Sequence, residues 1–153
     1  MMKSVVFALS LAVASAANLR ASAEPKAEVL VSSDNFDDIV TSDSAVWVVN
    51  FYDSAAPETE KWASTWTSLK SEIQEVKFAS VDVESKKGLK LAKDLGLAGS
   101  MPVVAMVNHK DGAEPVVLMK GEVQQLTRIR KKVLHNTKDL HKVAGYWQKE
   151  KAN

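Results

Sequence analysis

The chain of 153 residues contains no cysteine. That absence excludes thiol–disulfide exchange, a thiolate nucleophile and any disulfide staple. Proline and glycine number only four and six, and no low-complexity or repeated segment occurs. No apolar run approaches the roughly 20 residues a membrane-spanning helix needs, so no span is expected. Histidine occurs three times, at His109, His135 and His141. The last two are six apart, which is not the i, i+4 spacing of a helical metal pair, so no metal and no cofactor is expected. A net charge of +1 gives no global pull toward nucleic acid.

What is present fits one globular domain. Hydrophobic residues make up 46% and charged residues 25%, an ordinary soluble balance. Without disulfides, stability must come from core packing. The charge is uneven along the chain. From Lys120 onward nine Lys/Arg face three Asp/Glu, whereas the rest has eleven against sixteen. Met1-Met2-Lys3, the apolar run Val5 to Ala14 and the small-x-small Ala14-Ser15-Ala16 form the three parts of a secretory signal peptide over 1–16. The expected mature protein is lumenal or extracellular. Residues 17–27, polar and with Pro25, read as a linker. No N-x-[ST] sequon is present, and the ending Glu150-Lys151-Ala152-Asn153 is not a KDEL-type retrieval signal.

Periodicity supplies the elements. Glu28 to Val31 is a short strand, and Asp34 is placed to cap a helix through Phe36, Ile39 and Val40. Ala45 to Tyr52 is apolar, β-branched and aromatic throughout, as a central strand buried on both faces would be. Pro57 stands at a helix start, and Trp62, Trp66, Leu69 and Ile73 follow at helical spacing. Val76 to Val83 is a strand, and Ser85 to Leu95 a helix closed by Gly96. Met101 to Val107 and Val116 to Met119 are strands joined through the turn signal Asp111-Gly112. A last helix starts near Glu122. The order β-α-β-α-β-α-β-β-α implies an α/β fold with a mixed sheet covered by helices on both faces.

Three stretches then carry a resemblance. Val48-Val49-Asn50-Phe51-Tyr52, Phe78 to Val83, and Leu95-Gly96-Leu97-Ala98-Gly99-Ser100-Met101-Pro102-Val103 resemble the thioredoxin fold, most closely a single domain of the protein disulfide isomerase family. The resemblance implies a thioredoxin-like domain over 28–134 and a cis-proline at Pro102, preceded by Met101. Gly121 fits a recurrent glycine of that family. The family's C-x-x-C falls on Ala56-Pro57-Glu58-Thr59, so neither sulfur remains. Its buried carboxylate and the lysine that pairs with it fall on Asn50 and Ser80. Losing one member of a buried ion pair costs about 3–5 kcal/mol, whereas replacing both by neutral groups avoids a stranded charge. Ser54 and Thr59 sit at the helix mouth, but a hydroxyl nucleophile needs an adjacent base. A capping or surface role suits them better.

Beyond the family's ordinary end, Leu126, Ile129, Val133, Asn136, Leu140, Val143 and Trp147 follow three-four heptad spacing. Residues 135–153 read as a basic helical extension that either folds back or docks on a partner through Leu140, Val143 and Trp147, with docking slightly preferred. The resemblance implies a redox-inactive, non-enzymatic, disulfide-isomerase-like protein of the secretory pathway, in the endoplasmic reticulum lumen or secreted. It would hold polypeptide clients or a partner protein beside Met101 and Pro102, as a chaperone or adaptor. The alternative is a structural subunit docked through its C-terminal helix. A glutathione-dependent enzyme with a hydroxyl in place of the thiol ranks last.

Overall fold

The computed structural model describes residues 26–151. The signal-peptide expectation over 1–16 and nearly all of the linker expectation over 17–27 lie outside the described residues. Among the described residues seven strands and three α-helices follow one another: β1 Glu28–Leu30, β2 Trp47–Tyr52, α1 Glu58–Glu72, β3 Lys77–Asp82, α2 Lys86–Asp94, β4 Val103–Val107, β5 Val116–Lys120, α3 Leu126–Thr137, β6 Lys142–Val143 and β7 Tyr146–Trp147. The five-stranded sheet has the order β1-β3-β2-β4-β5. The first three strands in that order run parallel, and β4 and β5 join antiparallel. This is a mixed sheet flanked by helices on both faces, as expected from the resemblance. Among the described residues no helix is long and apolar enough to cross a membrane.

Strand alternation divides the core in two. On one face Val46, Val48, Phe78, Val104 and Met106 meet Trp62, Trp66, Leu69 and Ile73 of α1 and Ile129 and Val133 of α3. On the other, Trp47, Val49, Phe51, Ala79 and Val81 meet Leu91 and Ala92 of α2. Both faces of β2 are thereby buried, as its unbroken apolar sequence requires. Gly88 lets α2 press against the end of β3, since a Cβ there would lie 2.0 Å from the Asp82 carbonyl oxygen. Gly121 has φ +78°, and its N–H donates to the Pro102 carbonyl at 2.8 Å.

Two expectations need correction. Asp34 caps no helix. Residues Asp37–Thr41 form a π-helical turn without a side-chain cap, and Asp34 instead pairs with Lys87. The larger correction concerns the C-terminus, where a basic helical extension over 135–153 was expected. A helix is present in the C-terminal region, but it ends at Thr137. Residues Lys142 to Trp147 form a tight hairpin whose turn residues, Ala144 and Gly145, have φ +55° and +89°. Positive φ at both central positions is the hairpin geometry whose twist matches the flanking strands.

The hairpin folds back because Trp147 completes the domain. Its side chain is 8% exposed and packs into the α1/α3 face of the core. Its carbonyl accepts from Val46 N–H and its own N–H donates to Glu75 O, each at 3.0 Å. Leu140 packs against the same core, and Val143 stays exposed. The seam spacing of Leu140, Val143 and Trp147 was therefore coincidental. Val143 and Tyr146-Trp147 flanking a glycine turn was the signal that could have revealed the hairpin.

Candidate functional site

The mouth of α1 is built by Asp53. Its side chain accepts from Ala55 N–H at 2.9 Å and its carbonyl from Ala56 N–H at 3.0 Å. Pro57, at φ −65°, then leads into the helix at Glu58. The Thr59 hydroxyl donates back to the same Asp53 carbonyl at 2.5 Å, so its proton is committed to closing the loop. The Asp82 carboxylate accepts from both Ser54 N–H and Glu84 N–H, tying the two loops together. A hydrogen bond with Asp53 and the Asp53 charge raise the exposed Glu84 carboxyl above its ordinary value. His109 follows β4, whose end pairs with the start of β2, so it sits at the far end of the sheet from Thr59. No imidazole faces this mouth from there.

Beneath the mouth, Asn50 and Ser80 lie opposite each other on β2 and β3, 5% and 2% exposed. Asn50 Oδ1 accepts from Trp62 Nε1 at 3.0 Å. The Ser80 hydroxyl donates to Glu28 on the edge strand β1. Glu28 also pairs with Lys70 of α1 at 2.5 Å and accepts from Trp66 Nε1 at 3.3 Å. Burial alone would raise the Glu28 carboxyl. The hydrogen bonds from Lys70, Ser80 and Trp66, with the Lys70 charge, outweigh it and hold the carboxyl below its ordinary value. Sequence reasoning missed this pair, because Glu28 and Lys70 are 42 residues apart in elements that only the fold brings together.

On the other flank of the mouth, the Met101–Pro102 peptide is cis. Pro102 is buried and Met101 is half-buried against the α2 face of the core.

Residues 27–134 match the thioredoxin family. The chain belongs to the thioredoxin family. Protein disulfide isomerase-like 2-3 of Oryza sativa subsp. japonica is 31% identical over 67 residues. That match takes in 43% of this chain and only 15% of the rice protein, so the chain spans a small part of that relative's length. The Trx4 domain of ERdj5 superposes with a TM-score of 0.59 at 17% identity, covering 72% of this chain and 96% of that one. Fasciola hepatica thioredoxin gives 0.57 at 22% identity, covering 72% and 99%. At such identities these structures speak for the fold. This thioredoxin-family chain has no cysteine at Ala56, Thr59 or anywhere else.

Proposed function

We propose that this domain is a redox-inactive member of its family that binds extended polypeptide in the secretory pathway, as a chaperone or adaptor in protein folding. The observation that carries the reading is the combined replacement of both sulfurs and of the buried charged pair. Ala56 and Thr59 stand at the thiol positions, Thr59 is committed to the loop, and neutral Asn50 and Ser80 stand where the resemblance places the charged pair. A fold retained with its catalytic groups neutralised is suited to holding a chain beside Met101 and Pro102. The signal-peptide pattern at the N-terminus supports a lumenal or secreted location.

Crosslinking of the tagged protein in its native cells tests the reading. Recovery of many unrelated unfolded polypeptides is the expected result. A single stoichiometric partner would favour the structural-subunit reading instead, although the docking helix assumed for that reading is replaced by the hairpin.

A further inference from the structure

A cavity of about 330 Å³ opens between α1 and the β1 edge, on the flank of the mouth opposite Pro102. Leu30, Asn50, Tyr52, Thr59, Trp62 and Trp66 line it. The decisive group is Asn50. An indole N–H only donates, so the Trp62 bond fixes Oδ1 toward Trp62 and turns Nδ2 away from it. No described residue accepts from that Nδ2. Asn50, a residue 5% exposed, thus presents to the cavity an amide donor that no protein group takes up and that a ligand entering the cavity can reach.

Other features narrow the occupant. Trp66 and Trp62 supply aromatic walls, their rings 6.2 Å apart. The Glu28–Lys70 pair at the floor is internally neutralised, so nothing there selects a charged group. The volume lies at the small end of ligand pockets, about 300–1,000 Å³, which suits one large side chain better than a cofactor. Beside the cavity, β1 is the outer strand of the sheet, and Leu30 is 68% exposed. Val31 N–H reaches inward to Ser80 O at 2.9 Å. By strand alternation the N–H of Leu30 faces outward, where an added strand can pair.

We propose that this cavity receives an aromatic side chain of an extended polypeptide lying along β1, with a carbonyl of that polypeptide accepting from Asn50 Nδ2. The inference rests on the polypeptide-binding reading and gives it an anchor away from Met101 and Pro102.

The test is NMR titration of the full-length protein with a short uncharged peptide carrying one central tryptophan, and with its alanine counterpart. Saturable shifts of the Asn50 side-chain amide and the Trp66 indole are expected, with binding about tenfold or more weaker for the alanine peptide. Asn50→Ala also strands the Trp62 donor, so the exposed positions Ala63 and Leu30 carry the control. Ala63→Phe fills the cavity and Leu30→Lys blocks the edge, and each should abolish the shifts while the fold persists. Equal binding of both peptides overturns the proposal. So do shifts confined to residues around Met101 and Pro102, which would leave the polypeptide-binding reading intact. No binding by any peptide overturns both. If the Asn50 and Trp66 signals of the free protein move on dilution, or when residues ahead of Lys26 are removed, the occupant is a second copy or the chain's own N-terminal segment, and the proposal fails.

Discussion

Asn50 and Ser80 face each other across the parallel pairing of β2 and β3, both buried and both uncharged. Each already has a use, Asn50 as the acceptor for Trp62 and Ser80 as a donor to Glu28. They are integrated into this chain's own hydrogen bonding. Restoring the thiols by Ala56→Cys and Thr59→Cys should therefore yield little disulfide exchange, because neither Asn50 nor Ser80 can move a proton and the nearby Glu28 carboxylate is held by Lys70, Ser80 and Trp66. Insulin reduction by the double variant should stay far below that of a working isomerase. Activity at that level would show that the neutral residues at positions 50 and 80 do not limit the exchange.

The Glu28–Lys70 pair gives a stability prediction. Glu28→Gln leaves the Lys70 ammonium, in a residue only 8% exposed, without its counter-charge. Breaking such a pair costs about 3 kcal/mol when fully buried and less for the partly exposed Glu28, so about 1–2 kcal/mol is expected in urea unfolding. Adding Lys70→Met should recover part of the loss. The carboxyl lies below its ordinary value of 4.5 when folded. Its contribution is therefore complete above pH 4.5 and is lost as pH falls through the folded value. The same dependence should vanish in Glu28→Gln.

His109 works in a separate, higher window. Burial depresses its imidazole from 6.5; Glu150 opposes the effect and Lys110 adds to it. Its Nδ1 is buried without a partner. Because the folded state resists the proton more than the unfolded chain does, stability should begin to fall below pH 6.5 and level off below the folded value. Thermal unfolding from pH 8 to 5 checks this. In His109→Gln the slope in that range should flatten, while the lower Glu28 window remains.

The C-terminal hairpin is tested by Trp147→Ala, which should cost about 3 kcal/mol, as aromatic-to-alanine changes in cores do. Truncation after Leu134 should cost more, since it also frees the Val46 N–H and the Glu75 carbonyl. Unchanged melting in either variant would mean that the hairpin is not part of the folding unit.

Most of the architecture was legible in the sequence, because strands buried on both faces and a helix with Trp62, Trp66, Leu69 and Ile73 at regular spacing leave few alternatives. The hairpin was not. Leu140 and Trp147 happen to be seven apart, so a heptad and a fold-back place the same apolar residues, and only the left-handed Ala144-Gly145 turn separates them. The site divided in the same way. Ala56, Thr59, Asn50, Ser80, Met101 and Pro102 were singled out through resemblance alone. Glu28, Lys70 and the unmatched amide of Asn50 depend on long-range geometry that no local pattern encodes.

The most direct measurement titrates a reduced, unfolded client into the purified protein while following both binding and disulfide turnover in the same sample. Saturable binding with turnover no higher than in buffer is the predicted result. Turnover above buffer, or no binding at all, would contradict a polypeptide-holding domain without redox chemistry.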